Sequence, residues 1–160
     1  MRLVAYQPDI AGNVGALIRL AACFETPFEV IGPCGFPFSD KDLRRAAMDY
    51  RDASRLRLYD GWTAFDSAVT AAGERVVLLT TKGDRSHVDF QFHQGDVLLL
   101  GRESAGAPPE VHARAHARVR IPLAPAARSL NIAVAAAIVL GEALRQVGAF
   151  HGRTDGLSLS

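Results

Sequence analysis

Little in this sequence is extreme, and each shortage closes a class of explanation. Only two cysteines, Cys23 and Cys34, occur in 160 residues. They lack CxxC spacing and have no histidine at metal-ligand spacing. They are therefore read as reduced thiols of a cytosolic protein, packed as small buried hydrophobes, and no metal is expected. The longest apolar run, Ile132 to Leu140, is nine residues, where a membrane span needs about 20. The opening MRLVAYQPD has no long apolar segment and is expected to be neither signal peptide nor anchor. Eighteen Lys and Arg against 17 Asp and Glu leave a formal charge of +1. That excludes a histone-like polycation but leaves room for a local basic patch. No fixed-period repeat or low-complexity linker interrupts the chain. A dinucleotide fingerprint is missing too: Gly12 and Gly15 have no third glycine near Ile18 to complete GxGxxG.

What is present is a regular alternation of strand and helix signals. LVAY (3–6), FEVIG (28–32), RVVLLTT (75–81) and DVLLLG (96–101) are apolar runs of strand length. Continuous runs of this kind mark parallel strands covered on both faces. RLRLY (55–59) alternates as a half-buried edge strand should, and ARVRIPL (117–123) reads as the last strand. Helices are expected from about Asn13 to Phe24, over 39–48 with Ser39 or Asp40 as cap, over 62–72, and from Leu130 onward. In the last helix Leu130, Ile132, Val134, Ile138, Val139, Leu140 and Leu144 are expected to be buried. The fold class is α/β, a mostly parallel sheet with helices on both faces. Residues 1–150 are expected to form one domain, with 151–160 a poorly ordered tail.

Ligands of such sheets bind beyond the carboxyl ends of the strands, so four loops matter most. In the first, Asn13 suits an N-cap, and Arg19 stands among apolar neighbours, where it must pair or reach a cleft. In the second, KGDRSH places Lys82, Arg85 and His87 at a strand end, as a solvated turn or a phosphate contact. In the third, Glu103 is bounded by Gly101, Gly106, Pro108 and Pro109. It either caps the following turn or accepts hydrogen bonds from a ribose or an amine. In the fourth, Ser129 could cap the last helix, while Arg128 and Asn131 exceed what a cap needs.

Together these loops resemble the SPOUT RNA 2′-O-ribose methyltransferases. Asn13, Gly15 and Arg19 match the pattern N-x-G-x-x-x-R. Gly101, Glu103, Gly106 and Pro108 match G-x-E-x-x-G-x-P. Ile121 and Pro122, followed by Ser129, Leu130 and Asn131, match I-P…S-L-N. The segments DKDLRRAAMDY (40–50) and LTTKG (79–83) are most similar to the compact members acting on the wobble pyrimidine (C34/U34) of leucine tRNAs. The chain departs from the usual pattern at Ala105 and Ala133.

The resemblance implies a deep C-terminal trefoil knot, a homodimer and S-adenosylmethionine as cofactor. It implies a catalytic group of Arg19, Asn13, Glu103, Ser129 and Asn131. Cofactor contacts would come from Leu79, Thr80, Gly101, Glu103, Ile121 and Leu130. RNA contacts would come from Lys41, Arg44, Arg45, Arg51, Lys82 and Arg85, although the 41–51 group also fits a solvated helix face. A ribosomal RNA target, a non-catalytic knotted domain and a small nucleotide-binding reductase are the competing readings.

Overall fold

The computed structural model describes residues 1–39, 41–42 and 56–150. The strands are β1 (Arg2–Tyr6), β2 (Phe28–Ile31), β3 (Leu56–Tyr59), β4 (Val76–Leu79), β5 (Arg85–Ser86), β6 (Val97–Leu100) and β7 (Ala117–Arg120). The helices are α1 (Ala11–Cys23), α2 (Trp62–Ala71), α3 (Pro109–Arg114) and α4 (Ile132–Gln146). All seven strands join one sheet in the order β3-β2-β1-β6-β4-β7-β5, and every pairing is parallel.

The apolar runs behave as a doubly covered sheet requires. Successive side chains of a strand point to opposite faces. Leu3, Ala5, Leu98 and Leu100 pack with Val14, Leu17 and Ile18 of α1 and Val139 and Leu140 of α4. Val4, Tyr6, Val97 and Leu99 pack on the other side with Phe65 and Val69 of α2 and Val111 of α3. Each fully buried Leu, Val or Phe contributes about 1.5–3 kcal/mol relative to exposure. β3 is an edge strand with Leu56 and Leu58 partly exposed and Arg57 exposed, as its alternating sequence predicts.

Two features of the strand order place the site. The chain moves from β1 outward through β2 to β3, then crosses to β4 beyond β6. The winding direction therefore reverses between β1 and β6, the kind of switch point at which α/β sheets open a ligand crevice. Secondly, β7 lies between β4 and β5. The segment from Thr80 to Asp96 leaves β4, passes β7 to form β5, and returns to β6 on the far side of β4. The β7 carbonyls accept along this path: Thr80 N–H donates to Val119 O at 3.0 Å and His87 N–H to Arg120 O at 2.9 Å.

Several local expectations change. β5 and α3 were not foreseen; a two-residue strand and a six-residue helix are too short for a periodic pattern. α1 begins at Ala11, and its N-cap position, Ile10, makes no side-chain capping bond, so Asn13 is not a cap. Asn131, not Ser129, caps α4: its Oδ1 accepts from Ala133 N–H at 2.9 Å and Val134 N–H at 3.4 Å. Leu130, Val134 and Ile138 are not buried but 37%, 48% and 38% exposed. Cys23 is exposed and Cys34 half-buried, both as free thiols. At the expected helix over 39–48, residues 41 and 42 are helical. Ser39 caps this start reciprocally: its N–H donates to Asp42 Oδ2 at 2.9 Å, and Asp42 N–H donates to its Oγ at 3.3 Å. Arg44, Arg45, Arg51 and the tail 151–160 lie outside the described residues.

Candidate functional site

The loops following β1 and β6 meet above the winding reversal. The β6 loop is built by close backbone approach. Arg102 and Gly106 exchange two backbone hydrogen bonds, at 3.0 and 2.9 Å. A Cβ added at Gly101 would stand 2.6 Å from the Gly106 carbonyl carbon and 2.7 Å from the Ala107 nitrogen. Only glycine leaves room for that crossing. The tight loop lifts Glu103 toward α1, where both carboxylate oxygens find donors. Asn13 Nδ2 donates to Oε1 at 3.0 Å and the Asp9 backbone N–H to Oε2 at 2.8 Å.

Asn13 is 9% exposed, on the inward face of α1. Its remaining acceptor, Oδ1, takes a hydrogen bond of 2.9 Å from Asn131 Nδ2. Asn131 therefore does two jobs with one side chain: its oxygen caps α4 and its amide group reaches α1. The chain Asn131–Asn13–Glu103 joins all three signature segments across 118 residues of sequence. This explains why asparagine, with a donor and an acceptor, stands at the mouth of α4. A serine cap would supply one group too few.

A second set of loops adjoins this chain at the carboxyl ends of β4, β6 and β7. Leu79 lies level with Leu100 in β6 and with Val119 in β7. Leu79, Thr80, Gly101 and Ile121 thus end neighbouring strands. The turn after β4 presses directly on β7: a Cβ at Gly83 would lie 2.5 Å from Val119 C and 2.7 Å from Arg120 N. Arg120 Nη1 donates to Gly83 O at 2.7 Å across the same contact. Leu79, Thr80, Gly101, Glu103 and Ile121 are all partly exposed, and Leu130 is exposed. Apolar side chains beside open backbone and one anchored carboxylate suit an adenosine-bearing cation.

Other expected residues stand apart. Arg19 is exposed on the outer surface of α1, six residues and about 9 Å along the axis from Asn13. It does not join the Asn131–Asn13–Glu103 chain. Ser129 is exposed, two residues before the cap of α4. Lys41, Lys82 and Arg85 are exposed. His112 is held below the ordinary histidine pKa by burial, and further by the charges of Lys82 and Arg118. Sequence reasoning missed Asp9, which precedes the first motif, and Arg102, which fills a variable position of the second. Asp9 accepts from Arg102 Nη2 at 2.5 Å and from Ser104 N–H at 3.1 Å. These bonds from Arg102, then Ser104, hold its carboxyl at a pKa of about 2. Cys34 packs against the apolar core; burial, then the Glu103 charge, pushes its thiol up to about 11.

Residues 1–141 match the model of the SpoU rRNA Methylase family. The chain belongs to this family. Among similar SpoU-type sequences, a Beijerinckia indica subsp. indica protein named tRNA (cytidine(34)-2'-O)-methyltransferase is 55% identical, over 92% of both chains. A solved structure titled "Structural insights into the 2-OH methylation of C/U34 on tRNA" is 42% identical with a TM-score of 0.81, covering 91% of this chain and 94% of its own. A SpoU methyltransferase of Streptomyces viridochromogenes, solved in complex with the cofactor AdoMet, is 29% identical with a TM-score of 0.74. It is covered over 57% of its length, against 91% of this chain. The α/β fold with a mostly parallel sheet is thus the family's fold.

Proposed function

We propose that this chain transfers a methyl group from S-adenosylmethionine to the ribose 2′-hydroxyl of the wobble nucleotide (C34/U34) in tRNA, with leucine isoacceptors as substrates. The observation that carries the reading is the hydrogen-bonded chain Asn131–Asn13–Glu103, which gathers three dispersed motifs at one crevice. The names of the similar proteins supply the reaction and the nucleotide, and the AdoMet-bound neighbour supplies the cofactor.

The cofactor contributes a sulfonium methyl. The chain's own work is placement, which can lower a barrier by several kcal/mol when reactants are held in line. Leu79, Thr80, Gly101, Ile121 and Leu130 would enclose the adenosine part, and Glu103, Asn13, Ser129 and Asn131 would organise the methyl-acceptor side. Arg19 keeps its proton at neutral pH. Its role is to contact the hydroxyl or a neighbouring phosphate and stabilise the charge that develops on oxygen.

Arg19 lies on the outer surface of α1, so a site completed by a second subunit fits its position. Leu130, Val134 and Ile138, four residues apart and exposed, form an apolar stripe suited to a homodimer face. A knot would follow from the same topology, with the Thr80–Asp96 segment as the loop and β7 with α4 as the threaded end. Lys41, Arg44, Arg45, Arg51, Lys82 and Arg85 would bind tRNA phosphates, giving binding that falls steeply with salt. A cytoplasmic location follows from such a substrate.

The deciding experiment incubates the purified protein with S-adenosylmethionine and unmethylated bulk tRNA, followed by digestion and mass spectrometry. A 2′-O-methyl group at the first anticodon position of leucine tRNA is the expected result. Methylation of ribosomal RNA alone, or cofactor binding without transfer, overturns it. Arg19→Ala should lower turnover by about 10²–10³-fold with cofactor affinity unchanged. Loss of cofactor binding in that variant would contradict its assignment.

A further inference from the structure

Asp9 occupies none of the motif positions, yet more hydrogen bonds converge on it than on any neighbour in the crevice. Its Oδ1 accepts from Arg102 Nη2 at 2.5 Å and Nε at 3.2 Å. Its Oδ2 accepts from Ser104 N–H at 3.1 Å and from Ser104 Oγ at 2.5 Å. Its own N–H donates to Glu103 Oε2 at 2.8 Å. Glu103 is thus gripped twice. The residues before and after it hold the Asp9 side chain, while its own carboxylate is held by the Asp9 backbone. On the opposite side, a Cβ at Gly35 would lie 3.0 Å from Asp9 Oδ1 and 3.1 Å from its Cα. The loop after β2 therefore backs Asp9 and limits its freedom to move away.

The charges support the same assignment. Two carboxylates, Asp9 and Glu103, sit on facing loops, and like charges at this range repel. The Arg102 guanidinium offsets that repulsion. It is held in its charged form chiefly by Asp9, with a smaller contribution from Glu103.

We propose that Asp9 is a positioning residue, which clasps the 102–106 loop through Arg102 and Ser104 and thereby sets where the Glu103 carboxylate stands toward cofactor and methyl acceptor. This rests on the reading of Glu103 as part of the site. A plain structural tie would serve stability alone, whereas a positioning residue acts through Glu103.

The test is a double-mutant cycle on the full chain. S-adenosylmethionine affinity is measured by calorimetry, tRNA methyl transfer gives kcat/KM, and thermal unfolding serves as the folding control. Asp9→Asn should weaken kcat/KM on the order of tenfold to a hundredfold in the native background. In a Glu103→Gln background the same change should cost less than about twofold, because the group it positions is already gone. Ser104→Ala removes one hydroxyl donor without changing charge. It should repeat the pattern at smaller amplitude, even if Asp9→Asn folds poorly. Equal losses in both backgrounds, or a wild-type Asp9→Asn, overturn the inference while leaving Glu103 in the site. An unaffected Glu103→Gln overturns the site reading itself and the inference with it.

Discussion

At the amino end of the sheet, Asp96 is 1% exposed and accepts from Arg75 Nε and Nη2 at 2.7 Å each, and from His93 N–H at 2.8 Å. Arg2 nearby pairs with Glu29 at 3.0 Å and with Glu74. Gln146 closes the lower end of α4 onto Phe90 O and Phe92 N–H, both at 2.9 Å. At the carboxyl end, Asp9, Asn13, Glu103 and Asn131 are equally well bonded, but they connect loops and stand beside the exposed segment 124–130. The groups named at each end are satisfied, although the buried Nδ1 of His87, just past β5, has no hydrogen-bond partner among the described residues. At the amino end the partners close on one another across strands; at the carboxyl end they brace a crevice. Hydrogen bonding alone therefore does not distinguish a structural network from a site. What it leaves beside open backbone does.

The contrast can be broken by substitution. Asp96→Ala should produce the largest loss of stability, about 3 kcal/mol by chemical denaturation, because it strands a partly buried Arg75. Turnover per folded molecule should stay within about twofold; a larger fall would make the amino end part of the functional machinery. Glu103→Gln should reverse the pattern, lowering turnover about a hundredfold, equivalent to about 2.7 kcal/mol, with stability changed by about 1 kcal/mol. Asn131→Ala sits between the two classes. It should cost about 1 kcal/mol as a lost cap and also lower turnover, since it releases Asn13; a stability loss without an activity loss would demote it to a cap.

The smallest expected effect concerns pH. Asp9 is depressed from 3.8 to about 2, so its contribution to stability is complete above about pH 4 and is lost as pH falls toward 2. The stability difference between the native chain and Asp9→Asn should be flat from pH 5 to about pH 8 and shrink below about pH 4. A difference that instead changes near neutrality would point to another titrating group.

Much of the fold was legible because it depends on short-range pattern. Val97 to Leu100 and Val76 to Leu79 are apolar without a break over strand length, as strands covered on both faces require. Leu56 to Tyr59 alternates and lies at an edge. In the candidate site the motifs singled out Asn13, Glu103 and Asn131, which the structure joins by hydrogen bonds, because the motifs place hydrogen-bonding side chains where elements begin or end. Asp9 was hidden, because one aspartate in a loop has no pattern, and neither Arg102 nor Ser104 signals that it pairs 93 or 95 residues away.

The sequence by itself determined the alternation of elements, the doubly covered sheet and the family, since those rest on periodicity and motif spacing within tens of residues. Tertiary structure alone decided that β7 enters between β4 and β5, and that Asn131 rather than Ser129 caps α4. It also decided that Asn13 turns inward to bond Glu103 while Arg19, on the same helix, faces out. Those outcomes depend on which distant backbones come within 3 Å of each other. Local propensity carries no record of that.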